Sequence, residues 1–247
     1  MSLAISRADA VTAVTYAGTF VRYAFYAVAL LVLTLVGLGI MVAFSYRQQV
    51  VQVAPAFRLA APELNALAGR TEVITSGRIG RAETRHYGQL YDRDRDLTVV
   101  MVTPPKDSAL DRDFVQEVRT IAALRNSRVS LLPTYYDLQT RFGSVRAAEM
   151  HADVDGQRKL CLAFLSRFDT PAVYLKGWLC EASGVKASPD GLACLLNRLV
   201  LDTPLADGDA DTFLRARIAR PGACWAAPVT QTTDTRPPRR PPPAWRR

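Results

Sequence analysis

The chain has 247 residues and a formal net charge of +8. Less one long apolar stretch and its flanks, that length leaves room for one domain with a real core and calls for no second. The charge comes from 27 Arg and 4 Lys against 23 acids, but Arg236, Arg239, Arg240, Arg246 and Arg247 fall in the last twelve residues with no acid beside them, and without them the net charge is +3. The basic balance therefore describes a tail more than a folded surface, and it does not make nucleic acid a partner of the domain.

In chain order, residues 1–23 are small and mildly apolar, and read as a short cytoplasmic tail that extends the helix after it. Position 2 is Ser instead of the Gly that myristoylation needs. Residues 24–44 (AFYAVALLVLTLVGLGIMVAF) then run without a charge. As a helix they are about 31 Å long, the thickness of a bilayer's hydrocarbon core. This is a membrane span, so the lipid bilayer is the first partner expected. Tyr23, Phe25 and Tyr26 at one end and Phe44 and Tyr46 at the other suit interfacial belts, with Arg22 and Arg47 able to snorkel. Gly39 and Ala43 form a small-xxx-small pair, a route to a homodimer.

A cleaved signal peptide is the alternative, but its apolar region runs about 7 to 15 residues and ends at an A-x-A-like site. This stretch is longer, and Val53-Ala54-Pro55 sets a proline at the scissile bond. An uncleaved signal anchor is the better reading. Flanking charge does not orient it: Arg7, Arg22 and the amino terminus stand before it, Arg47 and Arg58 after it.

Residues 45–82 change character, with Pro55, Pro62, a brief helical PELNALAG and then TEVITSGRIG, and read as a stalk and entry strand. The domain proper is expected over residues 83–224. Residues 84–92 and 97–103 suit paired strands joined by Arg93-Asp94-Arg95-Asp96, the second stopped by Pro104-Pro105. A helix is expected from Asp111 to Arg125, with Phe114, Val118, Ile121 and Ala122 on its apolar face. Residues 134–153 suit two strands about Gly143, followed by a turn at residues 154–157.

Residues 158–168 and 172–180 read as a hairpin about Asp169-Thr170-Pro171. A hairpin centred between Thr170 and Pro171 opposes Cys161 to Cys180, at a Cα separation a disulfide accepts. This pairing is an inference from the hairpin's symmetry. Ser188-Pro189-Asp190 starts a helix whose core stripe is Leu192, Leu195, Leu196 and Leu199. Cys194 points away from that stripe, which leaves it free to pair with Cys224 by elimination. A last short helix is expected near residues 211–219, capped by Asp209 or Asp211. The fold class is α+β: one transmembrane helix, then a single domain with a mostly antiparallel sheet, an internal helix and two C-terminal helices.

Two disulfides place the domain in an oxidising compartment, hence in the periplasm behind an inner-membrane anchor. The competing picture is four reduced cysteines in a cytosolic domain. Residues 225–247 are read as a disordered tail, its Pro/Arg-rich part TQTTDTRPPRRPPPAWRR suited to polyproline II. Arg236, Arg239, Arg240, Trp245, Arg246 and Arg247 are its candidate contacts to an envelope protein, anionic headgroups or an anionic polymer.

No catalytic, cofactor-binding or metal-ligating residue is assigned. Asp92, Asp94 and Asp96 have the D-x-D-x-D spacing of a calcium loop, but position twelve is Thr103 and the interleaved Arg93 and Arg95 cancel the charge, so a turn is the better reading. Asp207, Asp209 and Asp211 fail likewise, with Ile218 at position twelve, and suit helix capping. His86 and His151, the two histidines, each stand in a strand-like context that favours a structural role. Trp178 is expected to pack on the first disulfide. No G-x-S-x-G, Walker loop or H-E-x-x-H occurs.

The segments TRFGSVRAAE, CLAFLSRFDTPAVYLKGWLCEA and LACLLNRLVL, with their F-G, C-L-A-F, G-W-x-C and L-A-C elements, resemble uncharacterised single-span envelope proteins of alphaproteobacteria. That resemblance spans much of residues 84–224 and implies an anchored envelope domain without an assigned activity. The function expected is a binding or structural module of the envelope. The alternatives are a membrane-anchored enzyme with a site built from dispersed residues, and a regulator tethered on the cytoplasmic side.

Overall fold

The computed structural model describes residues 7–45, 49–51, 53–77, 79–90, 92–106, 112–121, 124, 128–154, 157–220, 224 and 230–233. The chain divides into two units, Met1–Arg47 and Gln48–Arg247. The first is one helix, α1 (Arg7–Ser45), 39 residues long. Its window Arg22–Val42 is long and apolar enough to cross a membrane, and none of that window is buried. The helix thus begins well before the expected span and takes in most of the N-terminal tail.

The second unit is built on a nine-stranded sheet, ordered β1-β3-β4-β5-β9-β8-β7-β6-β11. Its strands are β1 (Gln49–Val51), β3 (Gly69–Ser76), β4 (Gly80–Tyr87), β5 (Asp96–Thr103), β6 (Arg128–Thr140), β7 (Gly143–Val154), β8 (Gln157–Arg167), β9 (Tyr174–Cys180) and β11 (Thr230–Thr233), with β2 and β10 set apart. Every neighbouring pair is antiparallel. One meander, β3-β4-β5, meets a second, β6-β7-β8-β9, along β5 and β9. Both faces of this centre are covered, which is why LTVVMVT and YLKGWLC are nearly continuous apolar runs instead of alternating ones.

Against one face pack a two-stranded sheet of β2 (Phe57–Leu59) and β10 (Leu199–Leu201), and the helices α3 (Pro189–Asn197) and α4 (Gly208–Ile218). Leu97, Val99, Met101, Leu162 and Phe164 meet Phe57, Leu64, Leu192, Leu196 and Leu214 there. Against the other face packs the short α2 (Phe114–Arg119), whose Phe114 and Val118 join Val100, Val102, Ala163 and Trp178.

Of residues 45–82, read from the sequence as a stalk and entry strand, the strand is there as β3, but the described residues from Gln49 onward are part of this unit and not a stalk before it. Phe57, Leu59 and Leu64 are buried core residues, and β1 and β3 are sheet strands. The period-two pattern of Phe57 and Leu59 is too short to be told from a linker without β10, which lies about 140 residues away in sequence.

Several element ends also differ from expectation. β4 ends at Tyr87 because Gly88, at φ 84°, turns the chain and donates its N–H to Ala68 O. The helix expected from Asp111 to Arg125 is α2 alone, with Asp113 as its cap, accepting from Gln116 N; residues 111 and 125 lie outside the described residues. β6 starts at Arg128 and absorbs Pro133 in a bulge between Leu131 and Tyr135. Ser188 caps α3 and Pro189 occupies its first turn as expected, but Leu199 belongs to β10. Asp207 caps α4, its Oδ1 accepting from Ala210 N, while Asp211 accepts from Leu205 N and pairs with Arg215. Thr230–Thr233, placed by sequence in the disordered tail, forms the edge strand β11 on Thr134–Asp137 of β6.

Arg141, in the β6–β7 turn, ties the layers together. Its N–H donates to Asn197 Oδ1, and its guanidinium donates to Leu199 O and, at 3.3 Å, to Ile218 O. A cation at the last carbonyls of α4 has the favourable sense for the helix dipole.

Gly177 on β9 faces Thr98 of β5 with no room for a side chain. A Cβ there would lie 1.9 Å from Thr98 O and 2.9 Å from Phe164 Cζ. Gly177→Ala is therefore expected to destabilise the domain by about 3 kcal/mol or more. Gly191→Ala in α3, where the added carbon meets Ser188 Cβ at 3.5 Å, should change stability by less than about 1 kcal/mol. Urea unfolding of both variants checks this, and equal effects would refute the close-approach account.

Candidate functional site

The titratable groups most altered by the fold lie on the α2-bearing face of the sheet. Register decides which residues meet. His86 opposes Thr98, which opposes Trp178, and two residues along the strands Asp96 opposes Cys180, which opposes Cys161. Alternation puts Lys159 on the same face beyond Cys161.

Trp178 Nε1 donates to Asp96 Oδ2 at 2.5 Å, both residues being 1% exposed. Lys159, 2% exposed, donates its Nζ to Asp94 O at 2.7 Å. His86 Nδ1 lies 2.7 Å from Thr98 Oγ1, and its ring centre is 6.2 Å from that of Trp178.

Burial dominates the electrostatics. It pushes the Asp96 carboxyl up to about 6, against the Trp178 hydrogen bond and the charge of Lys159, while Asp92 adds to the rise. Burial also lowers Lys159, opposed by Asp96, Asp92 and Asp94. The His86 imidazole falls to about 4, chiefly by burial and further by the charge of Arg70. At neutral pH the imidazole is therefore uncharged and the carboxyl ionised, with a proton exchangeable near pH 6.

A second polar group pins α2 to the sheet. Glu117 Oε2 accepts from Lys176 Nζ at 2.6 Å and from Tyr174 Oη at 3.1 Å, and Lys176 also donates to Thr120 Oγ1 at 2.7 Å. The Arg112 guanidinium stacks 4.0 Å from the Tyr174 ring centre. Burial, with Glu117 close by, drives the Tyr174 phenol well above its ordinary range. A third group, on the opposite face, joins Tyr136 Oη and Lys186 Nζ to Glu149 Oε1, at 2.5 and 2.6 Å.

Each side chain singled out by sequence has a definite place. Cys161 and Cys180 are bonded across directly opposed positions with Cα atoms 4.2 Å apart, as the hairpin's symmetry requires, and Cys194 is bonded to Cys224 with Cα atoms 4.6 Å apart. Trp178 does share a core cluster with Cys161 and Cys180. Of the three turn aspartates, Asp92 and Asp94 are exposed, whereas Asp96 is buried as the first residue of β5. His151 contacts Arg158 Nη2. The tail residues Arg236, Arg239, Arg240, Trp245, Arg246 and Arg247 lie outside the described residues.

Sequence reasoning missed Lys159, Thr98, Glu117 and Lys176. The available signal was Lys176, a lysine inside the otherwise apolar run YLKGWLC, since a buried amine demands a partner; Lys159, next to Gln157 and Arg158, carried no such signal.

The described cysteines are all bonded, and among the described residues no group of three or more His, Cys, Asp or Glu is placed to hold a metal ion. Among those same residues, Arg112 Nη2 and Arg141 Nε are the buried side-chain atoms without a hydrogen-bond partner. Comparison with protein-family models, curated proteins and solved structures finds no match to this chain.

His86 and Asp96 should give opposite pH dependences. Asp96 binds its proton more tightly folded than unfolded, so its contribution to stability falls as pH rises from about 4 to 6. His86 binds its proton less tightly when folded, so its contribution rises as pH rises from about 4 to 6.5. Relative to the parent chain, Asp96→Asn should make stability climb more steeply from pH 4 to 6, and His86→Gln should make it climb less or decline. Urea unfolding in mild detergent across that range tests the signs. A shift in the same direction for both variants would refute the assignment.

Proposed function

We propose that the protein is a single-pass protein of the bacterial inner membrane, whose disulfide-braced α+β domain stands in the periplasm as a binding or structural module of the envelope. In this reading α1 is an uncleaved signal anchor with its amino terminus in the cytoplasm. The basic tail, with Arg236, Arg239, Arg240, Trp245, Arg246 and Arg247, is presented to an envelope protein or an anionic polymer.

The observation that carries the reading is the pairing of all four cysteines within a domain that follows an apolar helix of membrane-spanning length. Disulfides persist where thiols are not continuously reduced, which selects the far side of the membrane. The polar groups of the α2 face support a binding or structural role over catalysis, because their bonds hold strands and helix together.

A topology reporter fused after Arg247, combined with acid trapping of thiols in intact cells, tests this. Periplasmic reporter activity and no alkylatable cysteine before reduction are expected. A cytoplasmic reporter signal with four free thiols would replace the proposal with a tethered cytoplasmic domain.

A further inference from the structure

The two disulfides occupy different surroundings. Cys161 and Cys180 are 3% and 0% exposed, in the interior of the sheet beside Trp178 and Met150. Cys224 is exposed, and Cys194 is half-buried on α3. Thiol–disulfide exchange needs in-line approach of a thiolate to a sulfur, so access separates the two bonds.

They also hold different things. Cys161–Cys180 joins strands already paired by a ladder. Cys194–Cys224 holds the chain between α4, which ends at Ile218, and β11, which begins at Thr230. Among the described residues beyond Arg220, this bond and the four β11–β6 pairs are the attachments that tie the C-terminal segment to the domain. A four-residue edge strand is marginal by itself, so the covalent bond raises the local concentration on which its pairing depends.

We propose that Cys194–Cys224 is an exchangeable latch, opened by a dithiol, that governs whether β11 covers the edge of β6. One thiolate of the dithiol attacks Cys224 Sγ. The bond to Cys194 breaks, and Cys194 leaves as a thiolate that takes up a proton. The second thiolate of the dithiol then attacks its own sulfur in the mixed disulfide and releases Cys224, which is protonated in turn. Two electrons pass to the protein, the dithiol becomes a disulfide, and the two protons it loses balance the two gained. With the latch open, β11 is free to leave Thr134–Asp137 of β6.

This rests on the oxidised state in the functional reading above, and one experiment separates the two. Full-length protein in mild detergent is treated with dithiothreitol at neutral pH, quenched with acid, alkylated and mapped by mass spectrometry. Cys194 and Cys224 should become alkylatable at least tenfold faster than Cys161 and Cys180. In the selectively reduced protein, amide exchange should rise several-fold at residues 134–137 and 230–233, and stay unchanged at 161–164 and 177–180. The Cys194→Ser/Cys224→Ser variant should show the same exchange without reductant; the measurement on the parent chain stands if that variant does not fold. Reduction of both bonds together, earlier reduction of Cys161–Cys180, or unchanged exchange at β11 overturns the latch alone. Four free thiols before any reductant overturn both the latch and the compartment.

Discussion

The structure of the folded unit hangs on the seam between β5 and β9. Each meander is held by its own turns, but the two are joined by seven facing pairs, from Asp96 opposite Cys180 to Val102 opposite Tyr174. Leu97, Val99, Met101, Leu175 and Leu179 give the seam one apolar face for β2, β10, α3 and α4. Val100, Val102, Tyr174 and Trp178 give it another for α2. A side chain at Gly177 would run into Thr98 O and push these strands apart. No layer on either face could then keep its footing.

Asp96, Thr98 and Lys176 are buried polar residues on this same seam, and their value is in register more than in net stability. Asp96 has Trp178 Nε1 to bind, and Lys176 has Glu117 and Thr120, in one alignment of the strands. A slip of one residue would turn both charges into the opposite, apolar face. Pairing buried charges recovers little beyond their desolvation, but leaving one unpaired costs several kcal/mol. The arrangement therefore penalises wrong alignments more than it rewards the right one.

What could be read from the sequence was what local chain geometry decides. The β8–β9 hairpin followed from one turn and two apolar runs, and its symmetry gave the Cys161–Cys180 register. Ser188-Pro189 marked the start of α3 because a cap and a fixed φ act on their immediate neighbours. Pairings between distant segments were not legible. Phe57–Leu59 read as linker until β10 covers it, and Thr230–Thr233 read as tail because four polar residues carry no strand signal without the edge of β6. Asp96 looked like one more solvated charge in an Arg-Asp run, since its burial depends on which strand lies beside it. The site was illegible for the same reason: its contacts, Trp178 to Asp96, Lys159 to Asp94 and Lys176 to Glu117, join elements far apart in the chain.

The position of β9 in the chain imposes an order on assembly. Asp96 must find Cys180 across more than eighty intervening residues, whereas β8 and β9 are joined by a turn of a few residues. Closing a short loop costs less entropy and is faster, so the second meander can zip from its turns before the first has anything to dock on. As the polypeptide emerges amino end first, β3, β4 and β5 wait with the free edge of β5 unpaired until Cys180 has been made and delivered. A chain halted in that interval exposes the edge of a strand that is buried in the finished domain.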